Sequence, residues 1–339
     1  MGVQVVPAAS IVGRSAVNLL EKVRFIVNLT DPVFRGKYRG RQEHEDDMEA
    51  MLERARKAHV KSMIITGTSL SESRTAVRLA KETGFYTTIG CHPTRSSEFD
   101  KYKAGPAAYL DELDKLIAAN LQGKGRVVAV GECGLDYDRL HFANEETQKK
   151  HFRTQLSLAK KYHLPLFLHV RNAYPDFVKI LKEEGFDAEG GKAIGGRGGV
   201  VHSFTGTKEE AVELLAMGFH FSVNGCSMKT EEQLEAVKSI PPSRMMLETD
   251  APWCSCTHTH ASKQHIDTLP SQLREAFLPA GARGPERFEY GKPVKGRNEP
   301  MAIGAVAWVL SQIHGAPFER VAERTFINTV EVFQLSELR

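Results

Sequence analysis

The run Val127-Val128-Ala129-Val130-Gly131 stops at Glu132. Five small or branched apolar residues without alternation read as a strand buried on both faces. The same arrangement recurs along the chain. Pro165-Leu166-Phe167-Leu168 stops at His169, Gly199-Val200-Val201 precedes His202, and Met245-Met246-Leu247-Glu248-Thr249 precedes Asp250. The steps between these polar residues are 37, 33 and 48 positions, close to one, one and two strand-plus-helix units of a (β/α)₈ barrel of about 250 residues. Two imidazoles and two carboxylates at the ends of separate buried strands are the pattern of a divalent-metal site at a barrel mouth.

Working outward, apolar runs alternate with helical patterns, which predicts parallel βα units. Strands are expected near 23–28, 61–66, 86–91, 126–131, 165–169, 199–203, 219–224 and 244–250. Residues 146–163 place Phe152, Leu156 and Ala159 on one helical face. Thr207 with Glu210, and Thr230 with Gln233, read as capping boxes, and Gly218 as a helix stop. Eight strands with helices between them close most naturally as a single TIM barrel over residues 23–335. Residues 1–22 are expected to be a disordered N-terminal extension. Residues 185–199 hold seven glycines and read as a flexible loop. Residues 251–296 form a long excursion, of the kind that is functional or mobile, before two closing helices at 301–314 and 317–334.

The 339 residues are 41% hydrophobic, ample for one large core. A net charge of +3 does not by itself argue for nucleic acid. Five scattered cysteines suit a reduced, intracellular protein, cytoplasmic or nuclear. No apolar stretch approaches about 18 residues, so no membrane partner is expected, and nothing points to an obligate protein partner. Residues 1–20 lack acids but carry only one arginine, Arg14, which argues against mitochondrial targeting.

The chemistry follows from the ligand types. Four such groups at one end of four strands are costly to bury unpaired, and a cation resolves the cost. Glu132, His169, His202 and Asp250 suit one or two divalent ions, Mg²⁺ first with Mn²⁺ or Zn²⁺ as alternatives, and the carboxylate share leans away from a closed structural zinc. A metal there acidifies water and polarises a substrate oxygen, which implies hydrolysis. His92, in Gly90-Cys91-His92-Pro93, ends another strand. It reads either as a loop histidine bonded to backbone or as a substrate-facing donor. Arg139 and Arg171 follow Glu132 and His169 closely and suit contact with phosphate. Cys254-Ser-Cys-Thr-His258-Thr-His260 has the residues of a metal tract, but its spacing matches no ordinary zinc module. The glycine-rich 190–199 segment is not a phosphate loop, since it lacks GxxxxGK[ST].

Seven motifs together resemble the TatD family of metal-dependent deoxyribonucleases, in particular its eukaryotic TatD-like branch. They are Asn28-Leu-Thr-Asp31-Pro, Gly90-Cys-His92-Pro-Thr, Gly131-Glu132-Cys-Gly-Leu-Asp136-Tyr-Asp138-Arg139-Leu, Leu168-His169-Val-Arg171-Asn, Val201-His202-Ser-Phe, Leu247-Glu-Thr-Asp250-Ala-Pro-Trp253 and Arg297-Asn298-Glu299-Pro300. The resemblance implies a barrel that hydrolyses DNA phosphodiesters, often as a 3′→5′ exonuclease. It implies that Glu132 bridges two metals, that His169 and His202 complete one shell, and that Asp250 serves the other. Catalysis would then rest on Glu132, Asp250 and His92, and substrate contact on Arg139, Arg171 and Asn298.

The chain departs from the family at its first strand. Many members carry a His-x-His pair there; this chain has Phe25-Ile26-Val27-Asn28. The strand also begins about three residues short of the family pattern. Two other functions compete with a nuclease. A small-molecule amidohydrolase or deacylase on the same scaffold would want the histidine pair and no arginines at the mouth. A non-catalytic binding protein would retain the fold without needing the intact ligand set.

Overall fold

The computed structural model describes residues 24–335 of the chain; the expected N-terminal extension lies outside them. Eight parallel strands form one sheet in the order β1 (Arg24–Val27), β4 (Ser62–Ile65), β5 (Tyr86–Ile89), β6 (Val127–Asp136), β7 (Leu166–Arg171), β8 (Gly199–Val201), β9 (His220–Val223) and β10 (Met245–Leu247). A small antiparallel hairpin, β2 (Lys37–Tyr38) with β3 (Arg41–Gln42), follows β1. At the seam between β1 and β10, Asn28 donates its backbone N–H to Ala251 O at 2.9 Å. The eight expected strands are all present, and the sheet curls into a barrel with helices between its strands.

The apolar residues divide into two layers. Ile26, Ile64, Tyr86, Val128, Phe167, Val200 and Met246 pack together inside the barrel, where Phe333 and Leu335 at the end of the last helix join them. Their neighbours, among them Val27, Ile65, Leu166, Leu168, Val201 and Leu247, pack in the other direction against the helices. Both faces are buried, so the strands read as continuous apolar runs. Helix starts follow from the caps. Ser69 and Asn144 accept from Glu72 and Thr147 backbone N–H groups, and both Thr207 and Thr230 form full capping boxes. The expected helix at 146–163 runs Glu145–Tyr162, and the closing pair runs Ile303–His314 and Phe318–Phe333. Among the described residues no single helix is long and apolar enough to cross a membrane.

Two expectations need correction. Glu132 does not end its strand: β6 continues to Asp136, with a register shift against β7 between Val130 and Cys133. That irregularity breaks the two-residue alternation and turns the Glu132 side chain toward the cluster described below. Gly131 makes it possible. Its φ is +138°, and a Cβ there would lie 2.2 Å from Phe167 O. Gly131→Ala is therefore expected to cost at least about 2 kcal/mol from overpacking and backbone strain together. Chemical denaturation checks this, and a midpoint matching the parent would refute it.

The glycines of 185–199, expected to confer flexibility, instead allow close approach. Gly190 N–H donates to Met217 O at 2.7 Å and Gly198 N–H to Gly190 O at 2.8 Å. A Cβ on Gly190 would meet Gly198 Cα at 2.3 Å. The 251–296 excursion is folded, with helices Lys263–Asp267 and Ser271–Phe277 whose Ile266, Leu273 and Phe277 are buried. Its far end is fixed by a buried charge network. Arg297 reaches both Asp47 oxygens at 2.7 and 2.6 Å and Glu299 at 2.8 Å, while Arg54 closes on Glu299 at 2.8 and 2.9 Å.

Candidate metal centre

The period-two geometry of the strands carries the site up from the inner core. Two residues beyond the inward Ile26, Phe167, Val200 and Met246 come Asn28, His169, His202 and Glu248. Glu132 is the hub. Its Oε1 lies 2.8 Å from His202 Nε2, 3.0 Å from His169 Nδ1 and 3.3 Å from His92 Nε2. His169 Nδ1 and His202 Nε2 are themselves 3.2 Å apart. His92, Glu132 and His169 present one ligand atom each within 4.8 Å of one another.

Glu132 Oε1, His169 Nδ1 and His202 Nε2, mutually within 3.2 Å, fit a divalent cation. Two imidazole nitrogens and one carboxylate oxygen converge, and a proton can satisfy only one pair among them, whereas a cation satisfies all three. The outer nitrogens agree. His169 Nε2 faces Asp136 at 3.3 Å and His202 Nδ1 faces Glu248 at 3.5 Å, yet neither buried nitrogen makes a hydrogen bond. A carboxylate behind each imidazole is the arrangement that orients metal-binding histidines.

Electrostatics point the same way. Burial opposes ionisation of Glu132, but the charges of His202 and His92 and the contacts from His169 and His202 outweigh it and hold the carboxyl well below its usual range. Burial likewise opposes a charged His202, and Glu132 and Glu248 override it to raise its pKa well above the ordinary value. At His92 burial prevails and lowers the pKa. His92 Nδ1 accepts the Thr94 backbone N–H at 3.2 Å, so the proton of the neutral ring sits on Nε2, toward Glu132. Asp250 is pushed up to about 6, first by burial and then by the nearby Glu248 and Glu132 carboxylates, against relief from His202 and Asn28. A buried carboxyl beside two other carboxylates, as Asp250 is, is what a cation stabilises.

The residues expected at the site divide as follows. Glu132, His169 and His202 converge directly, and His92 joins them while also accepting a backbone N–H, as expected of a loop histidine. Asp250 stands beside them, accepting from Asn28 Nδ2 at 2.8 Å and from Cys254 Sγ at 3.3 Å. Arg139 and Arg171 stay half-exposed but are held by carboxylates, Arg139 by Asp136 at 3.1 Å and Arg171 by Asp138 at 2.8 Å. Asn298 is a correction. It is buried, and its amide donates to Thr249 O at 2.9 Å and Trp253 O at 2.7 Å. Its hydrogen bonds pin the turn that carries Asp250 instead of facing substrate. Among the described residues the Cys254–His260 tract assembles no three-ligand cluster.

Glu248 and Asp136 were missed as site residues. The signal for Glu248 was its position two residues beyond an inward-facing methionine. It is fully buried, and Ser222 and Asn224 hydrogen-bond its two oxygens. Glu248→Gln is expected to weaken metal affinity about 10–100-fold through misoriented His202, with the fold retained. Calorimetric titration of the metal reads this directly; unchanged affinity would remove Glu248 from the centre.

An eight-stranded parallel barrel with imidazoles and carboxylates converging at the strand C-termini defines the class of barrel metallohydrolases. Residues 35–334 match the family model described as TatD related DNase. The chain is 41% identical over 306 residues to a Schizosaccharomyces pombe protein named deoxyribonuclease Tat-D, covering 90% of this chain and 93% of that one. It is 31% identical over 294 residues to an Erwinia tasmaniensis protein named 3′-5′ ssDNA/RNA exonuclease TatD, covering 85% and 94%. A crystal structure of an uncharacterized amidohydrolase from Saccharomyces cerevisiae superposes with a TM-score of 0.81 at 34% identity, over 91% of this chain and 99% of that one. The chain belongs to the TatD-related DNase family.

Proposed function

We propose that this chain is a divalent-metal-dependent deoxyribonuclease that hydrolyses DNA phosphodiester bonds from the 3′ end. The convergence of His92, His169 and His202 on Glu132 carries the reading, and family membership supports it. Glu132, His169 and His202 would hold one ion, and Glu132 with Asp250 a second. Such ions supply Lewis acidity, which makes water a nucleophile at neutral pH and offsets charge on the phosphate. The neutral Nε2–H of His92 is placed to donate to a phosphate oxygen or to the departing alkoxide. Arg139 and Arg171 would exchange a carboxylate partner for substrate phosphate, with Asp136 and Asp138 holding the guanidinium groups ready until then.

Digestion of 3′- and 5′-labelled single-stranded DNA tests this. The 3′ label should leave first as mononucleotide with Mg²⁺, Mn²⁺ or Zn²⁺, and nothing should be released in EDTA. Cleavage in EDTA, or internal cuts alone, would overturn the reading.

The two ions are not expected to bind alike. Position 28, where other barrels supply imidazoles, holds Asn28, and its amide is engaged by Asp250. The second ion therefore has two carboxylates and must complete its shell from water and substrate, which Mg²⁺ tolerates. Calorimetry of the apoprotein without DNA should resolve one strong site; two equally tight sites would contradict this assignment.

A further inference from the structure

Two segments leave neighbouring strand ends at the barrel mouth and meet each other. The first follows β1 and contains Arg35-Gly-Lys37-Tyr38-Arg39-Gly-Arg41-Gln42, four cations without an acid. The second is the 251–296 excursion, which leaves from Asp250 and returns at Asn298. They are joined by aromatic stacking. The His44 ring lies on Phe288 at 4.1 Å and 9°, with Tyr38 tilted against it at 5.6 Å. Phe288 in turn meets Tyr290 edge-on at 6.4 Å, and Tyr290 is 60% exposed.

Three of the four cations of this ridge stand outside the described ion pairs. Arg35 is tied to Asp46 at 2.8 Å, whereas Lys37, Arg39 and Arg41 are exposed and take part in none of the described ion pairs. The hairpin tip is a two-residue turn in which both Arg39 (φ 50°) and Gly40 (φ 80°) are left-handed. Such turns favour Asn or Gly at the first position. The chain places arginine there, a disfavoured backbone state at an exposed apex of the kind that accompanies binding surfaces.

We infer that the hairpin and the excursion together form a docking ridge for single-stranded DNA, engaging the part of the strand that lies outside the metal centre. Unpaired cations tracking a backbone beside an exposed aromatic ring are the two components of single-strand binding without base-specific readout. The inference rests on the phosphodiesterase reading for its choice of polyanion, and the experiment separates the two.

The test uses full-length protein carrying Lys37→Ser, Arg39→Asn and Arg41→Ser together; asparagine suits the turn, so the fold is retained. Binding of a fluorescein-labelled strand of about 20 nucleotides is followed by anisotropy in EDTA across a salt series. Hydrolysis of bis(p-nitrophenyl) phosphate with Mn²⁺ is measured in parallel. The variant should bind the strand at least about tenfold more weakly, and its log–log salt slope should fall by about 2, near 0.7 for each lost phosphate contact. Its hydrolysis of the small diester should match the parent. Tyr290→Ala should weaken binding with the slope preserved. Unchanged affinity and slope in the triple variant would overturn the ridge, as would equal competition by polyglutamate. Failure of the parent to hydrolyse the small diester with any metal would instead overturn the phosphodiesterase reading, because anisotropy in EDTA reports the ridge alone.

Discussion

Glu132→Ala is expected to lower phosphodiester hydrolysis by at least about 10³-fold with Mg²⁺, Mn²⁺ and Zn²⁺ alike. Three imidazole nitrogens lie within 3.3 Å of one Glu132 oxygen, so its removal leaves His92, His169 and His202 facing one another without a shared anion. The remaining nitrogens repel a common charge state, and an ion held there would lose the carboxylate on which all three converge. Loss should therefore be independent of metal identity and should not be recovered at high metal concentration. The fold should survive, since the core of the barrel lies one layer below, around Phe167, Val200 and Met246. Activity on single-stranded DNA, measured beside far-UV circular dichroism, checks both halves. A variant retaining full activity would show that the hub has been misassigned.

The largest effect on stability is expected from Arg297→Ala. Arg297 makes a two-pronged contact with Asp47 and a further bond to Glu299, and all three side chains are almost wholly buried. Truncation leaves two carboxylates in the interior with only Arg54 to answer them, and breaking a buried pair from one side costs about 3–5 kcal/mol. Arg297→Lys should recover little, because an ammonium cannot span the Asp47 fork and reach Glu299 in the same geometry. The change should appear as a lower denaturation midpoint with an unaltered slope. A loss of activity at parental stability would place Arg297 in the chemistry instead of the scaffold.

The amino-acid sequence by itself determined the barrel. Runs such as Val127–Val130 and Pro165–Leu168 are apolar on both faces and too short for helices, which suits a sheet covered on both sides. The polar residues that stop those runs marked the mouth, and the capping boxes at Thr207 and Thr230 are local hydrogen-bond patterns legible without any tertiary contact. Glu132, His169 and His202 were identifiable because burying such groups demands a shared partner.

What the sequence could not decide depended on distance between segments far apart in the chain. Asn298 looked available for substrate, but its amide is satisfied by Thr249 and Trp253 carbonyls more than 40 positions away. The glycines at 190–199 looked mobile because composition does not reveal that Gly190 packs on Gly198 and Met217. Glu248 was passed over because an acid before a strand's last polar residue is ordinary until the barrel turns it toward His202. Strand periodicity is a one-dimensional signal. Which of two carboxylates points at an imidazole, and which arginine remains unpaired, is settled only when the strands are closed into a ring and each side chain has chosen its partner.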